Sequence, residues 1–181
     1  AVLGRDMSTG AETRFNGKFF ADTTGHGTIG SLAGAEFDMA EQGHMGMSNM
    51  WRYVDAGHPV PFPETPWALQ LSLADFPLPK ANADGKGARA EWFWEGGFNL
   101  HPINDLEYIR DWNLRAVFGA FNAMKNKDGK EKHLNARLEW VAYVGGNRES
   151  RQLLGDVILT RDDIVSQKHF DDGCVPTTWD I

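Results

Sequence analysis

Three glycines in Gly25-His26-Gly27-Thr28-Ile29-Gly30 stand at G-x-G-x-x-G spacing. They follow an extended run, Lys18-Phe19-Phe20-Ala21-Asp22-Thr23, and precede the small-residue run Ser31-Leu32-Ala33-Gly34-Ala35. Strand, tight turn and helix in that order restrict the folds open to the chain. Glycines at this spacing let the backbone turn sharply and approach a pyrophosphate, while the helix offers free N–H groups and the positive end of its dipole. A complete dinucleotide fingerprint also needs a second strand ending in an acidic residue about 20 positions on. The corresponding stretch, Glu41 to Ser48, has no strand alternation. On pattern alone a partial cofactor turn and a plain glycine-rich strand-to-helix turn both remain open.

Elsewhere the pattern is helical in one long stretch and strand-like in several short ones. From Asp105 to about Lys125, residues Leu106, Ile109, Trp112, Ala116, Val117, Ala120, Phe121 and Met124 share one face, and Asn104 with Glu107 resembles a capping box. Ala1 to Ser8 and Thr13 to Ala21 read as two strands joined by a turn at Thr9-Gly10-Ala11-Glu12. Prolines from Gly57 to Pro66 force an extended loop. Strands are expected at Trp67–Leu73 and Arg89–Glu95, around a polar loop at Asn82–Gly87. A short helix at Lys132–Asn135, strands at Leu138–Val144 and Arg151–Thr160, and a helical turn capped by Thr160 complete the reading. Strands and helices do not alternate regularly, so the expected class is α+β, an antiparallel sheet with packed helices in a single domain.

Composition removes several function classes. A formal net charge of −7 and scattered basic residues argue against a nucleic-acid partner, whose phosphates call for clustered Lys and Arg. No apolar run has the length of a membrane span. The single Cys174 excludes an internal disulfide and any C-x-x-C motif, and a buried structural thiol is its expected role. The six histidines show no H-x-H or H-x-x-x-H spacing, so no metal site is signalled. There is no nucleophile elbow and no phosphate-binding Walker loop.

Two blocks carry a resemblance. The run from Phe20 to Phe37, through Asp22-Thr23-Thr24-Gly25-His26-Gly27 and Ala33-Gly34-Ala35, is similar to the D-A-T-G-D-G-x-x-A-x-x-A-G-A segment of a family of FAD-dependent oxidoreductases. Downstream, Gly145 to Ile164, with Arg148-Glu149-Ser150-Arg151 and Gly155-Asp156-Val157-Ile158-Leu159-Thr160, resembles that family's G-x-R-E-S-R-R-x-x-G-D-x-x-L-T-x-x-D. The resemblance implies FAD as cofactor, a small-molecule substrate, and a flavin-contacting turn at Thr24, Gly25, His26 and Gly27. His26 stands where many members have Asp. Members also carry a first glycine turn for the FAD diphosphate and a last glycine-rich stretch, and neither is found in this sequence. It is therefore expected to be an internal piece of a flavoprotein that binds no FAD alone. In that reading residues 1–36 are the edge of the FAD-binding domain and residues 37–181 a substrate-type α+β domain, packed as one compact unit.

The remaining constellations each have a plain alternative. Arg148, Glu149 and Arg151 are the candidates for chemistry, because two guanidinium groups can hold an oxyanion bidentately. Their alternative is an ion-pair network with Asp156 or Asp162. Among the histidines, His26 is the one to test as a proton carrier, with His58 a weaker candidate for substrate contact. Of seven tryptophans, Trp51, Trp92 and Trp94 with Tyr53 can form a platform for a sugar ring, which would make the chain a carbohydrate-binding module without chemistry. Core packing is the weightier reading of these rings, and pliable packing that of Met39, Met45, Met47 and Met50.

Overall fold

The computed structural model describes residues 1–76, 89–91 by backbone alone, and 95–174. In chain order the elements are β1 (Val2–Arg5), β2 (Glu12–Phe15), α1 (Thr28–Leu32), β3 (Phe37–Asp38), β4 (Met47–Ser48), β5 (Trp51–Asp55) and β6 (Arg89–Glu91). They continue with β7 (Glu95–Gly96), α2 (Leu106–Asn126), β8 (Ala136–Val141), β9 (Gly146–Asn147), β10 (Gln152–Leu153) and α3 (Arg161–Val165). All strand pairings are antiparallel, so the class is α+β as the sequence indicates. The chain divides into two units, Ala1–Asp38 with Gln152–Ile181, and Met39–Arg151.

In the first unit β1 and β2 form the expected hairpin, Val2 opposite Phe15 and Arg5 opposite Glu12. Asp6 organises its turn: one carboxylate oxygen accepts from the Ser8 and Thr9 amides and the Ser8 hydroxyl, and Gly10 takes φ 75°. The extended run at Lys18–Thr23 is not a strand. Strand β2 stops at Phe15, just before Asn16-Gly17, and Phe19 is left 92% exposed. The glycine turn does open a helix, α1, with Gly27 at its N-cap in the left-handed region. A Cβ on Gly30 would collide with the Leu153 side chain, so this glycine permits α1 to approach β10. Strand β10 pairs with β3, but the strand expected over Arg151–Thr160 is only these two residues long. Val157, Ile158 and Leu159 lie exposed, and a strand with no partner leaves its backbone groups to water. The Thr160 cap holds: its hydroxyl accepts from the Asp163 amide, and the Asp163 carboxylate accepts from the Thr160 amide.

The second unit is built around α2. Strands β6, β5 and β8 form one sheet in that order, and β7, β4 and β9 another. Strand β5 alternates, burying Trp51 and Tyr53 against Val117, Ala120, Phe121 and Met124 of α2 and Ala136 of β8. Burial of such rings is the main stabilising term, about 1.5–3 kcal/mol for each large side chain. Of the predicted helix face, Ile109, Ala116, Val117, Ala120, Phe121 and Met124 are buried, Leu106 is half-buried, and Trp112 is 37% exposed; Asn113 takes the interior position instead. Its amide donates to Met47 O at 2.7 Å and Asn49 Oδ1 at 3.1 Å, satisfying a strand carbonyl from the helix. The capping box is also different. Asp105 is the N-cap without a side-chain cap bond. His101 Nδ1 accepts from the Ile103 and Asn104 amides, and Asp105 accepts from the His101 amide.

Two further expectations fail for one reason, capture of the chain by α2. Trp67–Leu73 is not a strand, because the Leu69 amide donates to Arg115 O and a close approach of its backbone to Gly119 seats it on the helix. A 3-10 turn at Leu73–Asp75, boxed by Ser72 and Asp75, follows. Lys132–Asn135 is a pair of turns rather than a helix, and the buried Lys125 ammonium donates to the carbonyls of His133 and Leu134 at 2.9 and 2.6 Å. Burial lowers the Lys125 pKa. The proline stretch is neither helix nor strand, and β8 overlaps the strand predicted at Leu138–Val144 but starts two residues earlier and ends at Val141. The strand expected over Arg89–Glu95 is described as β6 and the start of β7. Trp92 and Trp94 lie outside the described residues, as does the loop at Asn82–Gly87.

Candidate functional site

The glycine turn is organised from within by Asp22. One carboxylate oxygen accepts from the Thr24 amide and hydroxyl at 2.9 and 2.7 Å, and the other accepts from the Gly30 amide at 2.8 Å. The Thr24 hydroxyl in turn accepts from the Thr28 amide. These bonds, led by that from Gly30, hold the Asp22 carboxyl at about 2, below its ordinary 3.8. Asp22 thus occupies the place an anion takes at a helix N-terminus. Gly25 and Gly27 have φ of 77° and 58°, and nothing lies within 4 Å of a Cβ built on Gly25. The backbone there is open to an incoming group. His26 is half-buried beside it.

In the second unit, Arg148 and Glu149 each have a defined partner. Arg148 donates to Glu95 Oε1 at 2.6 Å, a carboxylate that the sequence does not single out, in place of Asp156 or Asp162. Glu149 Oε2 accepts from the Met45 amide at 2.8 Å. Arg151 is half-buried at the end of this stretch. Arg148 and Glu149 therefore meet the chain from β7 and the segment before β4, bringing together residues roughly fifty and a hundred positions apart in sequence.

Sequence reasoning passed over His44, which this region contains. It is 4% exposed, with Nδ1 3.0 Å from Met45 O and Nε2 2.7 Å from Leu100 O. A neutral imidazole has one donor, whereas two carbonyl oxygens are satisfied together only by the imidazolium. The bond to Met45 O raises the His44 pKa most, burial opposes it, and Leu100 O and the Glu149 charge add to the rise. No motif spacing marks His44; its one signal is a place between two glycines in a segment without strand pattern.

The remaining sequence candidates fall as follows. Trp51 and Tyr53 are each 1% exposed, so they are core and no sugar platform. Met47 is buried, as packing requires, while Met45 and Met50 are partly exposed. His58 sits exposed on the proline loop. Cys174 is exposed rather than buried. Among the described residues no group of His, Cys, Asp and Glu could hold a metal ion, and no helix is long and apolar enough to cross a membrane.

No curated protein and no solved structure matches the chain. The family model described as FAD dependent oxidoreductase matches residues 2–181, essentially the whole sequence, and the chain belongs to that family.

Proposed function

We propose that this chain serves the flavin-dependent oxidation or reduction of a small molecule, with Thr24, Gly25, His26 and Gly27 bordering FAD and Arg148, Glu149 and Arg151 acting on the substrate. The observation that carries it is the geometry of the glycine turn. Left-handed Gly25 and Gly27 with open space over Gly25 fit the close approach of a planar or neutral part of a cofactor. The turn does not fit a diphosphate, because Asp22 already takes the Thr24 and Gly30 amides and places a negative charge there. The contact assigned to Thr24–Gly27 is therefore to another part of FAD, and the turn alone offers too few contacts to retain it. Residues 1–36 are assigned to the flavin side and residues 37–181 to the substrate side.

Bound FAD supplies the two-electron acceptor or donor. The residues of this chain supply orientation and charge. Arg148, anchored at one nitrogen by Glu95, keeps further N–H donors for an oxyanion or hydroxyl of the substrate. Glu149, fixed by the Met45 amide, adds its charge to the rise in the His44 pKa that the Met45 carbonyl leads.

Flavin titration tests the reading. The 181-residue chain is expected to lose added FAD on gel filtration. In flavin-loaded full-length protein, Arg148→Lys is expected to lower kcat/KM by about tenfold or more, with little change in Tm, since the fork is lost and the charge kept. Unchanged turnover in both Arg148→Lys and Arg151→Lys would remove these residues from the site. Flavin retained through gel filtration by the 181-residue chain would show the turn to be a sufficient cofactor site.

A further inference from the structure

We infer that the second unit carries a binding site for a neutral pyranose ring, formed by Trp112, Tyr108 and Phe98 with Glu95, whose charge Arg148 balances. The site is a concavity of about 430 Å³, within the size range of ligand pockets. Tyr108 and Trp112 are one turn apart on α2 and so share a face. With Phe98 they line the same hollow, and all three rings are left exposed. Aromatic surface left in water on one concave wall is relieved by a ligand with an apolar face, and the C–H face of a sugar ring is one.

The walls are held in place without a ligand. A Cβ on Gly96 would stand 2.9 Å from Trp112 Cε3, and one on Gly97 would collide with Ile109. The two glycines thus let α2 seat its indole directly on the strand backbone. The turn bearing Phe98 is pinned three times: the Leu100 amide donates to Gly97 O, the Gly43 amide to Asn99 Oδ1, and the His44 ring nitrogen to Leu100 O. Such preorganisation lowers the cost of binding.

Charge selects a polyhydroxyl ligand. Glu95 lines the hollow, and its carboxylate is matched by Arg148 at 2.6 Å. A carboxylate ligand meets repulsion from Glu95, and an ammonium ligand finds that carboxylate already paired with Arg148. Hydroxyls suit a carboxylate so balanced, because they donate to its remaining lone pairs without adding charge. The Glu95–Arg148 pair is shared with the substrate side of the proposed function, but nothing in this argument needs FAD, so failure of saccharide binding and failure of the flavin reading are distinguishable.

The test is saturation-transfer NMR and indole fluorescence on the purified chain with methyl glucoside, methyl galactoside, cellobiose, maltose and lactose. At least one is expected to bind in the millimolar range, with transfer strongest on one face of a ring. Trp112→Ala, and independently Tyr108→Ala should the first variant not fold, are expected to weaken binding at least about tenfold. Trp140→Ala, at an exposed indole lining a different hollow, leaves it unchanged. Absence of binding by every saccharide in the panel overturns the proposal. So does binding indifferent to a folded Trp112→Ala or Tyr108→Ala variant, or Trp112-dependent binding of benzoate or tetramethylammonium with no saccharide bound.

Discussion

Every buried side chain among the described residues lies between His44 and Ser150, whereas residues 1–38 and 152–174 contain none. The first unit is tied instead by carboxylates that close loops on themselves: Asp6 in the hairpin turn, Asp22 under the glycine turn, and Asp163 at the start of α3. Each has its pKa lowered, Asp6 chiefly by the Ser8 hydroxyl, Asp22 by the Gly30 amide and Asp163 by Lys168. The second unit rests on α2 packed against β5, with Asn113 and His44 satisfying carbonyls in its interior. A turn held by local hydrogen bonds can keep an unusual backbone shape exposed, as Gly25 and Gly27 require. A cluster assembled from distant segments, such as His44, Glu95, Arg148 and Glu149, needs a packed core to fix its members.

The largest effect that can break this contrast is at the core. Phe121→Ala is expected to cost about 3–5 kcal/mol, because Phe121 meets Trp51, Tyr53 and Phe62 at ring distances of 6.1, 6.3 and 4.7 Å. Leu3→Ala, at a residue 71% exposed, should stay within about 0.5 kcal/mol. Equal shifts in denaturant midpoint would show that the hairpin shares the core's stability. Next comes Asn113→Ala, expected to cost about 1–3 kcal/mol by leaving Met47 O and Asn49 Oδ1 without this donor. If Asn113→Ala melts at the parent temperature, the buried amide adds no net stability and packing alone explains the unit.

How much of this was legible in the sequence follows the same division. The α2 periodicity was readable because burial on one helix face leaves a 3.6-residue trace, and the Thr160 cap because its bonds lie within three residues. The glycine turn was readable as a turn, but the role of Asp22 was not, since its bond to Gly30 spans eight residues and belongs to no named motif. Trp112 was misplaced because periodicity ranks residues by hydrophobicity, and an interior hydrogen-bond demand gave the place to Asn113. In the site, Arg148 and Glu149 stood out by type and spacing. Glu95 and His44 did not, because their partners lie far away in the chain: Glu95 meets Arg148, and His44 is bonded to Leu100 O and lies near the Glu149 charge. The expected strands at Lys18–Thr23 and Trp67–Leu73 fail because local alternation does not reveal whether a pairing edge is present.

The finest test of the contrast is the pH response of each unit. Asp22 has its folded pKa depressed from 3.8 to about 2, so its contribution is fully present above 3.8 and is lost as pH falls through about 2. Asp6 and Asp163 shift in the same direction, making the first unit acid-sensitive. His44 has its folded pKa raised above 6.5, so its contribution is fully present below 6.5 and is lost as pH rises through the folded value. In the second unit His44 therefore adds an alkaline-side loss that the first unit's carboxylates do not have, beside an acid-side loss from Asp75, whose pKa Ser72 lowers. In NMR titrations the Gly30 amide shift should follow a midpoint near 2 and vanish in Asp22→Asn, and the His44 ring protons should titrate above 6.5. Replacing His44 with Gln should flatten the alkaline response, since Gln offers donors but no titrating charge. A Gly30 midpoint at 3.8 would mean that the Asp22 bonds are not formed in solution, and a His44 midpoint below 6.5 would mean that burial outweighs its two carbonyl partners.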